Sequence, residues 1–364
     1  MEYRILPRSG EKVGVIGMGS AAIGALPHDR IVSAVRKAVE KGVNLFDMAG
    51  GHASIFAAYG EALQGVRDRV YLQVHFGADY LSGEYGWTTD LARIKSSVKW
   101  ELEQLRTDYI DIGFIHCLDE DGDFEEYQAN GVLDYVLELK KRGVIRHIGL
   151  SSHTPKLVHK VLDLGIVDVL MFSINPMYDY GQGKYAFGKV EERQALYRRC
   201  EKEGVAITVM KPFGAGILLD EARSPFGKAL TKPQCIRYAL DKPAVVSVLP
   251  GCADETEVED LLACLNASAA ESDYSILGQF TPADAAHKCV YCAHCHPCPA
   301  GLDVALINKY YDLACVGDAL AKQHYLTLGK TAQDCMQCGH CNARCPFHAD
   351  QMARMREIAA YFGK

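Results

Sequence analysis

Two short cysteine runs near the C-terminus hold eight of the chain's fourteen cysteines. They read Cys289-x2-Cys292-x2-Cys295-x2-Cys298-Pro299 and Cys335-x2-Cys338-x2-Cys341-x3-Cys345-Pro346. Thiolates at such spacing are metal ligands before they are anything else. Zinc needs only four thiolates and leaves the repeated Cys-Pro unexplained. Disulfides suit short secreted chains. Two cubane iron–sulfur clusters would use every cysteine of both runs.

The doubled run resembles the cluster-binding stretch of bacterial ferredoxins, with one departure. The first run has two residues before its fourth cysteine where three are usual. The resemblance implies two [4Fe-4S] clusters with crossed ligation. Cys289, Cys292, Cys295 and Cys345 would hold one cluster, and Cys335, Cys338, Cys341 and Cys298 the other. Clusters of this kind carry electrons and are oxygen-sensitive, so an anaerobic host is expected.

What positions these ligands, and what they serve, must come from the rest of the chain. At 364 residues there is room for about two domains. A composition of 49% hydrophobic and 23% charged residues suits a globular core. The net charge of −7 argues against nucleic acid or an anionic membrane as partner. The N-terminus lacks the apolar core of a signal peptide and no run is long enough to span a bilayer, so a cytoplasmic location is expected. Cys117, Cys200, Cys235, Cys252, Cys264 and Cys315 fall outside the two runs and are expected to be mostly buried small apolar residues.

To about residue 270, apolar runs alternate with amphipathic helical patterns. The strand-like runs are Val13–Met18, Val43–Asp47, Val70–Val74, Ile110–His116, Ile145–Ser151, Val169–Ile174, Ala206–Met210 and Val245–Pro250. Between them lie Arg30–Glu40, Leu91–Leu105, Val132–Lys141, Lys156–Leu164, Glu191–Glu203 and Glu255–Leu265. This alternation predicts an α/β fold with a parallel sheet, closed as a (β/α)8 TIM barrel. A doubly wound open sheet is the competitor, but Gly17-x-Gly19 is not completed as a dinucleotide fingerprint. We expect a barrel over residues 1–275 and a small helical ferredoxin-like domain over 276–364, with Ser268–Ala285 as the connecting stretch. Helix patterns in the tail are Val304–Tyr311 and Gln351–Phe362.

Barrel active sites form at the C-terminal ends of the strands. Those ends read Asp47-Met48-Ala49, Ile115-His116, Ser151-Ser152-His153, Asn175-Pro176, Met210-Lys211-Pro212 and Pro250-Gly251. In that order the chain resembles the aldo-keto reductases over about residues 3–265, and its tail resembles the bacterial branch with a C-terminal ferredoxin-like domain. The resemblance implies hydride transfer between a nicotinamide and a carbonyl, carried by an aspartate, a tyrosine acid, a lysine and a histidine. Asp47 and His116 match the first and last of these. The tyrosine falls at His52 and the lysine at His75, so both missing side chains are replaced by histidine. The family's strand-six glutamine falls at Met171 and its ring-stacking tyrosine at Met210. Ser151 and Gly251 remain as weak nicotinamide contacts. The segment Ala253-Asp254-Glu255-Thr256-Glu257 would repel a 2′-phosphate, so NADPH is not expected as a substrate and NADH is left open.

Asp47, His52, His75 and His116 are therefore expected to converge as a catalytic group. They could act as acid–base catalysts, bind a divalent metal, or merely fill an old pocket. His153, Asn175, Tyr178 and Lys211 are expected to line the substrate pocket. The favoured function is an iron–sulfur oxidoreductase acting on a small organic substrate, with an electron-transfer protein as partner. A redox-neutral lyase or isomerase using histidine acid–base chemistry is the alternative.

Overall fold

Asp47, His75 and His116 stand at strand ends because a ring of eight parallel strands carries them. The strands are β1 Met18–Gly19, β2 Leu45–Asp47, β3 Tyr71–Phe76, β4 Ile110–Ile115, β5 Ile145–Ser152, β6 Val169–Ser173, β7 Ala206–Met210 and β8 Val245–Val248. Each pairs in parallel with the next. Parallel bridges Ile16↔Val248 and Gly19↔Gly251 bring β8 back to β1. The protein is a (β/α)8 barrel followed by a cysteine-bearing helical region. This computed structural model describes residues 1–280 and 286–363.

The barrel interior is packed with Leu45, Ile112, Phe114, Val169, Met171, Ala206, Val246 and Leu249. Side chains alternate along a strand, so Asp47 shares a face with Leu45, and His116 shares one with Ile112 and Phe114. Tyr71, Gln73 and His75 likewise share one face of β3. The site is the top layer of the barrel core.

Two glycines make this layer possible. A Cβ on Gly149 would meet the Phe114 ring at 2.6 Å, and one on Gly113 would meet Phe76 at 2.5 Å. Phe114 in turn stacks on His75, with ring centroids 4.8 Å apart and planes 13° apart.

Several boundaries differ from expectation. Only the end of Val13–Met18 joins the barrel, because Lys12–Gly14 pairs antiparallel with Tyr3–Ile5. Strand β3 runs on to Phe76, because Gln73–Phe76 pair with Ile112–Ile115. Its polar Gln73 and His75 hide that length in the sequence. Helices Ser54–Ala62 and Lys232–Leu240 were not anticipated. The second begins with proline in its first turn and a capping box from Thr231 to Gln234.

By packing, the chain groups differently from a cut at 275/276. One unit is Met1–Ile174, Val205–Pro212 and Val245–Asn266; the other is Asn175–Gly204, Phe213–Ala244 and Ala267–Lys364. The second unit thus takes helices Val190–Glu203 and Lys232–Leu240. Glu191 pairs with Lys288, and Tyr238 packs on Tyr274 at 5.2 Å. The stretch Ser268–Ala285 is accordingly no loose connection where it is described, since Tyr274 and Leu277 are buried. Its residues 281–285 lie outside the described residues. The tail's own core gathers Leu302, Ile307, Tyr325, Met355, Ile358 and Phe362.

Gly149→Ala should therefore force the Phe114 ring aside and cost about 1–3 kcal/mol of stability. The shift in a denaturation midpoint measures this, and an unchanged midpoint would show that the ring is not held by this contact.

Candidate functional site

At the barrel mouth, side chains from β2, β3, β4 and one loop form a single hydrogen-bonded run. His75 Nε2 lies 2.8 Å from Asp47 Oδ1, and His75 Nδ1 lies 3.0 Å from His116 Nδ1. His116 Nε2 lies 2.8 Å from the Tyr85 hydroxyl. Gln73 Nε2 adds a long contact to Asp47 Oδ1 at 3.4 Å. Asp47, His75 and His116 are buried, whereas Tyr85 is 43% exposed and forms the open end.

The atoms in contact order the hydrogens. A carboxylate only accepts, so His75 donates from Nε2. Burial, with His75 alongside, holds His116 well below the ordinary imidazole range, so His116 is neutral. With the shared hydrogen on Nδ1 of His116, its bare Nε2 accepts from the Tyr85 hydroxyl. The run is a wire of three hydrogen bonds pointing from Tyr85 to Asp47.

Tyr85 was not anticipated. It lies in the connection between Ala78–Asp79 and Gly86–Trp87, which pair antiparallel. Tyr85 N–H donates to Gly51 carbonyl, Ala53 N–H donates to Gly83 carbonyl, and His52 bridges Glu84. Neighbouring residues of such a pair point to opposite sides. Glu84 and His52 therefore go outward together, with Nδ1 of His52 3.1 Å from Glu84, and Tyr85 goes inward. His52 is thus not brought into the run, which corrects the expected fourfold convergence. The cause is the Gly50-Gly51 turn: Gly50 has φ +148°, and a Cβ there would meet Ala21 at 2.6 Å. A Tyr in a loop carries no local pattern, so only the register of the two loops could have found it. Tyr59 does not substitute, being wholly buried against Phe46.

A second run lies on β5 and β7. His153 Nδ1 is 2.8 Å from Asp119 Oδ2, and Lys211 Nζ is 2.8 Å from His153 Nε2. Cys117 Sγ donates to Asp119 Oδ2 at 3.4 Å. Cys117 and Lys211 both have left-handed backbones, φ +50° and +54°, a conformation that costs a non-glycine residue about 1–3 kcal/mol. Burial pushes the Cys117 thiol up to about 12 and lowers the Lys211 ammonium. Despite its burial, Asp119 is held down at about 2 by His153. Sequence reasoning placed His153 and Lys211 here but missed Asp119, and it took Cys117 for a packing residue.

Among the described residues, Asp47, His75 and His116 do not form a metal-ligand group, because they lie in line rather than around a point. The group that does is Cys117, Asp119 and His153, with ligand atoms within 4.8 Å of one another. Ser151 is buried on β5. Gly251 meets β1 at Gly19. Met171 lies in the barrel core and offers no amide. In the other unit, Asn175 is used locally, its side chain accepting from Tyr178 N–H at 2.9 Å, while Tyr178 packs on Tyr185. After β8, Asp254 caps helix Glu255–Ala263 by accepting from Glu257 N–H, and Glu257 accepts from Ala253 N–H. The N–H donors of Ala253 and Glu257 in this helix start are thus taken by the chain's own carboxylates.

In the second unit the eight cysteines sort into two cavities. One is lined by Cys298, Cys335, Cys338 and Cys341. The other is lined by Cys289, Cys292, Cys295 and Cys345. Each takes three cysteines from one run and the fourth from the other. Among the described residues no three of these sulfurs lie within 4.8 Å of one another. A single zinc with bonds of about 2.3 Å would draw its thiolates closer than that, whereas a four-iron cube spaces its ligands at its corners. Burial pushes the Cys289 thiol up to about 11 and the Cys292 thiol up to about 12, so thiolates here need adjacent positive charge, which iron would supply. Two quartets of thiols grouped this way are the donor set that [4Fe-4S] groups would use.

The chain matches the aldo/keto reductase family over residues 15–234 and belongs to that family. The uncharacterized oxidoreductase YqkF of Bacillus subtilis (strain 168) is 27% identical over 293 residues, 73% of this chain and 92% of the relative. The L-galactose dehydrogenase of Arabidopsis thaliana is 24% identical, over 73% of this chain and 88% of that one. Among solved structures, an aldo-keto reductase from Bacillus halodurans in its holo form aligns with TM-score 0.62 at 22% identity, covering 78% of this chain and 97% of that one. No helix among the described residues is long and apolar enough to cross a membrane.

His116 gives the site a pH signature. Its native form stays neutral where the unfolded chain takes up a proton, so below about pH 6.5 the unfolded state binds more protons. Stability should fall with pH there by up to about 1.4 kcal/mol per unit from this residue. In urea denaturation at pH 7.5 and 5.0, His116→Gln should lose less stability on acidification than the parent; equal losses would contradict the assignment.

Proposed function

We propose that the protein is an iron–sulfur oxidoreductase that interconverts a small carbonyl compound and its alcohol at the barrel mouth. The observation that carries this reading is the sorting of eight cysteines into two crossed quartets, each around its own cavity. Cys289, Cys292, Cys295 and Cys345 would hold one [4Fe-4S] cluster, and Cys298, Cys335, Cys338 and Cys341 the other. Such clusters supply one-electron transfer. An electron-transfer protein is the natural donor, because the tyrosine and lysine of the nicotinamide-dependent tetrad are replaced and carboxylates occupy the phosphate segment.

The proton chemistry falls to Tyr85, His116, His75 and Asp47. During oxidation the substrate hydroxyl gives its proton to the Tyr85 oxygen. Tyr85 passes its own to His116 Nε2, His116 passes its Nδ1 hydrogen to His75, and His75 passes its Nε2 hydrogen to Asp47. Reduction runs the same hops backward and delivers one proton to the carbonyl oxygen. Two electrons from the donor protein and a second proton, taken from water at the carbon, complete the alcohol, and oxidation returns them the same way. No imidazolium is needed at any stage. The redox-neutral alternative is not favoured, since the family and the relatives named are oxidoreductases.

Two measurements test this. Anaerobic iron and sulfide analysis should find about eight of each per chain; about four, or stoichiometric zinc, would overturn the cluster assignment. With dithionite-reduced methyl viologen as donor and a panel of small aldehydes and ketones, Tyr85→Phe should lower turnover by roughly a hundredfold to ten-thousandfold. Adding His75→Ala should cost little more, because the two act as one unit. Full turnover by Tyr85→Phe, or faster turnover with NADPH than with viologen, would sink the reading.

A further inference from the structure

We propose that Lys211 is an amine nucleophile that captures an aldehyde or ketone as a Schiff base, with His153 as its base and Asp119 holding His153 in place. This rests on the reading of the barrel mouth as a carbonyl site. The carbonyl that Lys211 captures is a second one, apart from that reduced beside Tyr85, because imine formation expels the oxygen that reduction keeps.

The geometry is that of an activated nucleophile: a nucleophilic atom within hydrogen-bond reach of a base that a third group orients. Asp119 fixes His153 twice, through Oδ2 to Nδ1 at 2.8 Å and through Oδ1 to the backbone N–H at 2.6 Å. The ring must then carry its hydrogen on Nδ1. Its Nε2 is bare and accepts from Lys211 Nζ at 2.8 Å. Asp119 Oδ1 also accepts from the Ser152 hydroxyl at 3.2 Å, so the carboxylate is anchored from both sides. Lys211 ends β7 in a left-handed conformation just before Pro212, which sets the direction in which its side chain leaves the strand. It is only partly exposed, and burial weakens its hold on its proton.

The same residues could be read as a metal site, since Cys117, Asp119 and His153 cluster. The contacts favour the amine. A lysine nitrogen 2.8 Å from the imidazole is a poor neighbour for a cation, the Cys117 thiol is held protonated against Asp119, and both Asp119 oxygens already accept hydrogen bonds.

The step balances without an oxidant or reductant. His153 takes a proton from the Lys211 ammonium, and the free amine attacks the carbonyl carbon. The N–C bond forms while the C=O π pair moves to oxygen, which takes the proton back from His153. His153 then removes a second N–H proton and delivers it to the hydroxyl group. That group leaves as water while the nitrogen lone pair closes the C=N bond. The product is a protonated imine on Lys211.

The test uses full-length protein with glyceraldehyde and sodium cyanoborohydride at pH 7, followed by peptide mass spectrometry. Cyanoborohydride converts the imine to a stable secondary amine. Lys211 should be labelled at least roughly tenfold faster than the exposed Lys99, as expected for an amine held against a base, since general-base assistance is worth roughly a hundredfold or more. His153→Gln should slow labelling of Lys211 by a similar factor and leave that of Lys99 unchanged. If His153→Gln does not fold, the pH dependence of labelling in the parent protein decides: the Lys211 rate should level off at lower pH than the Lys99 rate. Labelling of Lys211 no faster than of Lys99, or stoichiometric zinc binding that blocks it, overturns the proposal. Trapping needs no electron donor, so labelling without viologen-dependent turnover would count against the redox reading alone, and turnover without labelling against the imine alone.

Discussion

Everything at the barrel mouth depends on the stack of His75 over Phe114 over Gly149. His75 has a partner on each ring nitrogen, Asp47 on one side and His116 on the other, and joins the carboxylate to the rest of the run. Those bonds are directional, and a ring free to rotate would keep neither. Phe114 removes the freedom by lying nearly parallel to the imidazole, and it can lie there only because Gly149 has no Cβ. Packing inside the barrel thus sets the direction of a hydrogen-bonded run at its rim.

The fold was legible because its signals are local. Alternating apolar runs and amphipathic stretches mark strands and helices residue by residue, and Ala206–Met210 and Leu91–Leu105 fall where the pattern puts them. The two cysteine runs were legible for the same reason, their spacing being a property of a few consecutive residues, whereas the crossed quartets came from the resemblance to ferredoxins. The first strand was not, since Val13 and Val15 are apolar whether they pair with β8 or with the N-terminal hairpin. Which ladder wins depends on Tyr3–Ile5, several residues away.

The candidate site was legible by halves. Asp47, His75 and His116 end strands, and a strand end has a defined place in a barrel. His52 and Tyr85 lie in loops, where direction is set by pairing between segments far apart in sequence. One antiparallel bridge, His52↔Glu84, turns His52 outward and Tyr85 inward. No reading of the stretch around residue 52 alone could reveal that. The resemblance to the family's tetrad misled here because it carried over the position of residue 52 without the Gly50-Gly51 turn that re-aims it.

The replaced tetrad raises the question whether the mouth is a working site or a relic. Burial energetics bear on it. A buried polar group without a partner costs about 1–3 kcal/mol, and a pocket released from function gains stability by filling with apolar side chains. This barrel instead keeps Asp47, Gln73, His75 and His116 at its upper layer, and Asp119 and His153 beside them, nearly all buried. The costs are offset only because each side chain bonds the next, from Asp47 through to Tyr85 and from Asp119 through to Lys211. Both runs end on an atom that can exchange a proton with a bound molecule, one a phenol and the other an amine. Two such runs side by side are what the proposed function would use, since each could move a proton at a different point of one bound molecule.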